Sequence, residues 1–165
     1  MDLEDKIYNQ WAEAFVGTRG EKAYLRRPRW EVLKDAIISH KVKTVLEFGS
    51  GVSTMLMANL GIDLTTYETN LHYLSKVIDM CPKGVKAHLW DNKHIWIEQD
   101  YDLIFVDGED PRKTQTMIAF KHTKGLVAID DMLGSSRKGL VVPPEFKRID
   151  NKSTQLAIFK KDLNG

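Results

Sequence analysis

The sequence has a single cysteine, Cys81, so it can form no internal disulfide and offers no cysteine-rich zinc site. No run of apolar residues approaches the roughly 20 needed to cross a bilayer as a helix. The five histidines, His40, His72, His88, His94 and His122, make no metal-ligand spacing with one another, and only His94 falls near a plausible pocket. Excess charge is lacking too: 24 Lys and Arg against 23 Asp and Glu leave +1, which gives no reason to expect nucleic acid or a membrane surface as a partner. The N-terminus, MDLEDKIYNQ, carries acids early and has no apolar core, so no secretory signal is expected and a cytoplasmic setting is. With 42% hydrophobic and 28% charged residues, the 165-residue chain reads as one domain, residues 1–165, long enough for a substantial core but short for a separate substrate domain.

What is present is organised around Lys43 to Thr54, KTVLEFGSGVST. Val45, Leu46 and Phe48 read as a buried strand, Gly49 and Gly51 bracket Ser50 in a turn, and Val52 to Leu60 reads as a helix whose first turn carries Ser53 and Thr54. Such a turn lets a ligand approach main-chain N–H groups at a helix N-terminus. A second strand, Leu64 to Tyr67, ends in Glu68, which lies 17 residues after Gly51, a spacing suited to a carboxylate that accepts hydrogen bonds from ribose hydroxyls.

These residues resemble the class I S-adenosylmethionine-dependent methyltransferases: VLEFGSG is similar to the first motif of that family, with Glu47 as its strand-end acid, and YETN is similar to its ribose-binding motif. The resemblance extends from about Trp30 to Lys160. It implies an α/β fold, a three-layer Rossmann-like sandwich around a seven-stranded, mostly parallel sheet. It also implies S-adenosylmethionine as cofactor, held by Glu47, Gly49, Ser50, Gly51, Ser53, Thr54, Glu68, Asp91 and Asp107. The competing nicotinamide dinucleotide fingerprint needs a third glycine where Thr54 stands.

The rest of the chain fits that frame. Leu3 to Val16 reads as an amphipathic helix, and residues 1–29 as a helical extension able to reach over a ligand pocket as a lid. Arg26, Arg27 and Arg29 around Pro28 read as a solvated surface, with an anionic acceptor group as the natural partner if they are functional. Pro28 suits the first turn of a helix with Trp30, Leu33 and Ile37 on one stripe. Asn70 or Thr69 caps a helix with Leu71, Leu74, Ile78 and Cys81 on one face, and Val85 to Trp90 is the next strand. Asp91 after it has two readings, an adenine contact implied by the resemblance or the cap of a turn. Tyr101 to Asp107 is a continuously apolar buried strand, a helix from Asp110-Pro111 towards Lys124 is stopped by Gly125, and Leu126 to Ile129 is a further buried strand. Met132 to Pro144 reads as a mobile loop. Phe146 to Asp150 and Thr154 to Lys160 read as a terminal antiparallel hairpin turning at Asn151-Lys152.

Six carboxylates, Glu47, Glu68, Asp91, Asp107, Asp130 and Asp131, fall at strand ends, where an open parallel sheet binds its ligands. VDGED followed by IDD resembles the catechol-type O-methyltransferases, which implies Asp107, Asp130 and Asp131 as ligands of a divalent cation, magnesium, manganese or calcium. The alternative is a metal-free pocket for a polar or cationic acceptor. Asp131 replaces the asparagine of that family, and its lysine falls here on Asp110, with Lys113 one helical turn further. The expected activity is methyl transfer to a small oxygen or nitrogen acceptor, with Asp107 and Asp130 as catalytic residues. A non-catalytic S-adenosylmethionine-binding module or assembly subunit is the alternative. No oligomer is argued by these features.

Overall fold

The structure, a computed structural model, describes residues 1–21, 24–91, 93, 95, 97–108, 112–132, 140–150 and 155–162. They form helices α1 (Leu3–Ala14), α2 (Arg27–Ser39), α3 (Val52–Asn59), α4 (Leu71–Met80) and α5 (Arg112–His122) around strands β1 (Thr44–Phe48), β2 (Asp63–Glu68), β3 (Lys86–Leu89), β4 (Tyr101–Val106), β5 (Thr123–Ile129), β6 (Phe146–Arg148) and β7 (Ala157–Lys161). The seven strands lie in the order β3-β2-β1-β4-β5-β7-β6. The first five are parallel, and β7 runs antiparallel between β5 and β6. This is the sheet expected from the sequence, with its antiparallel terminal pair. The turn joining that pair, at 151–154, lies outside the described residues, as does 133–139 of the expected loop.

The apolar run of β4 explains the middle of the sheet. Leu103, Ile104, Phe105 and Val106 are all wholly buried, because neighbours cover both faces. Burying side chains of this size stabilises the fold by about 1.5 to 3 kcal/mol each. Leu103 and Phe105 join one apolar cluster with Trp30, Leu33, Val45 and Met55, while Ile104 and Val106 join a second with Leu46, Phe48, Phe120 and Phe146. The alternation of strand side chains thus feeds two layers from one strand.

Local chemistry sets the helix boundaries. Asn70 caps α4 by accepting from the His72 and Tyr73 N–H groups, and Asp2 caps α1 by accepting from Asp5 N–H. Pro28 lies in the first turn of α2, where its missing N–H costs no helical bond. The extension is packed into the body of the protein: Ile7, Trp11 and Phe15 belong to the same cluster as Trp30. Phe15 stacks on Trp11 at 4.1 Å and meets Tyr73 of α4 at 4.9 Å.

Two local expectations are corrected. The buried face of α4 is Leu74 with Val77, while Leu71 is 64% and Ile78 47% exposed, because the sheet is met along a narrower stripe than the sequence spacing allows. Gly125 lies inside β5 and does not stop α5, whose last residue, His122, is followed directly by the strand. Thr123 makes that passage, its hydroxyl donating to Leu126 O and accepting from Gly125 N–H, where the pairing with β4 shifts register between Tyr101 and Leu103.

Candidate functional site

Neighbouring strands deliver their end residues by the same step. The parallel ladder runs one residue past each strand: Gly49 N–H donates to Tyr67 O at 2.8 Å, Asp107 N–H to Phe48 O at 2.9 Å and Asp130 N–H to Val106 O at 3.0 Å. Gly49, Asp107 and Asp130 therefore stand side by side along the carboxyl rim, with Glu68 beyond Gly49. They line one cavity of about 2000 Å³, roomier than a pocket for one small ligand and sufficient for a nucleoside cofactor together with an acceptor.

Gly49 has φ +92° and a Cβ there would meet the Gly108 nitrogen at 2.6 Å, so the β1 and β4 turns can pass each other only with glycine at this position. Gly51 is held by its own N–H donating to the Thr54 hydroxyl at 2.8 Å. A Cβ at Gly51 would touch only Trp11 and the Ser53 hydroxyl at ordinary distances. Its backbone therefore borders open cavity.

The six strand-end carboxylates do different things. Glu47 is wholly buried beneath the turn, accepting from the hydroxyls of Ser53 and Thr54 at 2.6 Å each. Burial pushes its pKa up to about 7 against the pull of those hydroxyls. Glu47 and Thr54, expected at the cofactor, do not line the cavity and instead fasten β1 to the N-terminus of α3, where a carboxyl is favoured. Ser53 does line it, with its hydroxyl committed to Glu47. Glu68 faces the cavity: Oε2 accepts from Ser50 N–H at 3.0 Å, and Oε1 from Thr69 N–H at 2.7 Å and Asn70 N–H at 2.8 Å. The Ser50 hydroxyl reaches it only at 3.4 Å, a weak bond that a ligand hydroxyl can replace. Asp91 is exposed, holds its own turn by accepting from Lys93 N–H at 2.9 Å, and does not line the cavity, which favours the turn reading over the adenine contact. His94 and Asp110 lie outside the described residues.

Asp107, Asp130 and Asp131 meet at the other end, one oxygen of each lying within 4.8 Å of the others. Asp131 takes φ +51°, a left-handed conformation that aspartate tolerates better than most residues. Burial and the charge of Asp130 hold the Asp107 carboxyl well above the usual range, against the pull of Arg112. Burial raises Asp130 as well, and Arg29 opposes it. Asp130 is 2% exposed, and its Oδ1 has no hydrogen-bond partner among the described residues.

Two arginines complete this end. Arg29 Nη1 donates to Asp130 Oδ2 at 2.7 Å and to Asp131 Oδ1 at 2.8 Å, and its Nη2 donates to Gln155 Oε1. Arg112, in the first turn of α5, donates to Asp130 O at 2.5 Å and to Asp107 O at 3.4 Å. The expectation of a solvated arginine surface is therefore corrected for Arg29, whose side chain is 18% exposed, while Arg27 stays at the surface with Asp5. Arg112 had a signal, since it starts the helix just after Asp107. Arg29 reads in sequence only as a surface residue or a partner for an anionic acceptor, and its carboxylate partners within the chain lie 101 and 102 residues away.

This arrangement tests the cation implied by the catechol-type resemblance. The three carboxylates are hard oxygen donors, close enough to share an ion. An ion about 2.0 to 2.6 Å from its oxygen ligands, bridging Asp130 Oδ2 and Asp131 Oδ1, would stand where Arg29 Nη1 stands. With Asp130 Oδ2 and Asp131 Oδ1 already paired to Arg29, the residues as arranged do not fit a divalent cation bridging those oxygens. They do fit a nucleoside cofactor, through the open backbone at Gly51, the Ser50 hydroxyl and the oriented Glu68 carboxylate.

No protein-family model matches the sequence, and no curated protein matches it. Solved structures do. A candidate caffeoyl-CoA O-methyltransferase from Staphylococcus aureus is similar with a TM-score of 0.75 at 20% identity, over 98% of this chain and 93% of that one. An O-methyltransferase from Bacillus cereus in complex with S-adenosylhomocysteine gives 0.73 at 13% identity, over 98% and 91%. The O-methyltransferase TomG from Streptomyces achromogenes, involved in tomaymycin synthesis and in complex with S-adenosylmethionine, gives 0.68 at 15% identity, over 98% and 90%. What is shared is the Rossmann-like fold of the class I S-adenosylmethionine-dependent methyltransferases.

Proposed function

We propose that this chain is an S-adenosylmethionine-dependent methyltransferase acting on a small oxygen or nitrogen acceptor. The observation that carries this reading is the division of one cavity: a glycine turn with an amide-oriented Glu68 at one end, and the clustered carboxylates of Asp107, Asp130 and Asp131 at the other. The clustered carboxylates suit proton removal from an incoming acceptor.

S-adenosylmethionine, when bound, supplies a methyl group on a sulfonium leaving group, so the protein has mainly to align the acceptor and take its proton. Glu68 would accept hydrogen bonds from ribose hydroxyls, and the backbone from Gly49 to Gly51 would allow close approach. Asp107 would accept the acceptor's proton. Burial and the charge of Asp130 raise its proton affinity, and Arg112 beside it opposes that shift and favours the ionised form from which a base must start. Asp130 Oδ1, without a partner among the described residues, would accept a second hydrogen bond and fix the acceptor's orientation.

A methyl-transfer assay with fractionated cell metabolites tests this. Slow formation of S-adenosylhomocysteine by the wild type is expected. Asp107→Asn should lower the rate by about a hundredfold or more, the usual size of a general-base contribution, and calorimetry with S-adenosylhomocysteine on the variant separates that loss from any loss of cofactor binding. The ion pairs of Arg29 favour one other reading, a cofactor-binding module whose acceptor end is closed by its own arginine. Cofactor binding with no turnover across a broad acceptor panel would support that module and contradict the enzyme.

A further inference from the structure

Resting on the methyltransferase reading, we propose that Arg29 is the resident cation of the carboxylate cluster, so that this site binds and aligns its acceptor without a divalent metal. Chelation of a vicinal diol is then not the recognition mode. The acceptor is one that offers an N–H or O–H group to Asp107 and Asp130.

The placement of Arg29 is built, not incidental. It sits in the first turn of α2, between Pro28, which sets the helix start, and Trp30, which is wholly buried and anchors that turn. From there one nitrogen bridges Asp130 and Asp131 while the other is taken by Gln155, just before β7. The guanidinium is thus held by α2, the end of β5 and the approach to β7 at once. A planar donor of this kind supplies the positive charge and also the directional bonds that a metal would otherwise supply.

Charge balance points the same way. The cluster holds three carboxylates, and Arg29 and Arg112 bring two guanidinium groups to it. Among the described residues these five groups, all ionised, sum to one net negative charge, which an acceptor carrying hydrogen-bond donors or a positive charge completes. A divalent ion added beside both arginines would turn the end of the cavity net positive, with cations facing one another in a poorly solvated place. What Arg29 leaves open matches the proposed acceptor: among the described residues Asp130 Oδ1 is buried without a hydrogen-bond partner, and a carboxylate oxygen of Asp107 lies within 4.8 Å of the Asp130 carboxylate.

The test is titration with manganese alone, read by electron paramagnetic resonance of the free ion, on EDTA-treated protein saturated with S-adenosylhomocysteine. The wild type should leave the free-ion signal undiminished. Arg29→Ala should bind the ion at least about tenfold more tightly, since the change removes a charge in contact with two ligand oxygens, and Arg29→Lys, which keeps a charge there, should again exclude it. Should Arg29→Ala not fold, Arg29→Gln drops the charge and keeps donors, and carries the same comparison. Binding of manganese by the wild type that is lost in Asp107→Asn overturns the proposal. Absence of binding in the wild type and in the uncharged variants alike overturns it too, because Arg29 would then occupy no cation site. Calorimetry with S-adenosylhomocysteine on the same EDTA-treated proteins before that ligand is added, with the manganese titration repeated on the ligand-free proteins, separates the two claims, since failure to bind there sinks the methyltransferase reading while the manganese result still decides the role of Arg29.

Discussion

The carboxylates at and beneath the two ends of the cavity are satisfied by different means. At the glycine turn, Glu47 and Glu68 are met by neutral donors, the hydroxyls of Ser53 and Thr54 and the N–H groups of Ser50, Thr69 and Asn70. At the far end, Asp130 and Asp131 are met by the guanidinium of Arg29. Neutral donors orient a carboxylate and leave its charge available to a ligand. A guanidinium cancels the charge, and whatever enters must compete with an ion pair. One end is thus prepared for a polar cofactor, while the other is a balanced set of charges that an acceptor has to complete.

The comparison is broken most strongly by Arg29→Ala. Removing one partner of a buried ion pair leaves uncompensated charge on Asp130, which is expected to cost about 3 to 5 kcal/mol and to show as a clear loss in the urea midpoint at neutral pH. Asp131, whose side chain is 55% exposed, should lose little by itself.

Glu47→Gln probes the neutral end through pH. The folded-state pKa of Glu47, about 7, lies above its ordinary value, so the folded protein binds the proton more tightly than the unfolded chain, and this group costs stability as pH rises from about 4.5 to about 7. The variant lacks the ionisation. It should therefore gain on the wild type by about 3 kcal/mol between pH 4.5 and pH 8, because each tenfold difference in proton affinity between the folded and unfolded chains is worth about 1.4 kcal/mol. An equal pH slope for both proteins would show that Glu47 stays ionised or is reached by water.

Gly49→Ala should be smaller, about 2 kcal/mol of lost stability, from a left-handed conformation at φ +92° and a backbone contact at 2.6 Å that no flexible side chain can relieve. Gly51→Ala meets only ordinary contacts. It should leave stability nearly unchanged and weaken cofactor binding instead, which separates the packing role of the first glycine from the ligand role of the second.

The same contrast explains what the sequence could and could not tell. Partners at the glycine turn are near in the chain: Ser53 and Thr54 lie 6 and 7 residues from Glu47, and Ser50 lies 18 from Glu68. Motif spacing captures such distances, and the strand ends carrying Gly49, Asp107 and Asp130 follow from apolar runs. Spacing could not show which way a strand-end side chain turns. Glu47 and Thr54 therefore read as ligand contacts, although the first turn of α3 closes over them. Arg29 was illegible for another reason. Its bonds to Asp130, Asp131 and Gln155 span 101 to 126 residues and exist only once α2 has docked on the sheet. Asp91 shows the opposite case, a local turn that looks like a site because it follows a strand.

The most direct test is calorimetry of the wild type and Glu68→Ala with S-adenosylhomocysteine and NAD side by side. S-adenosylhomocysteine should bind the wild type, and NAD should not. Glu68→Ala should weaken S-adenosylhomocysteine by about tenfold or more, since each charge-assisted hydrogen bond to a ribose hydroxyl is worth about 1.5 to 3 kcal/mol. Tight binding of NAD alone, or S-adenosylhomocysteine binding indifferent to Glu68, would contradict the assignment of this cavity end to the cofactor.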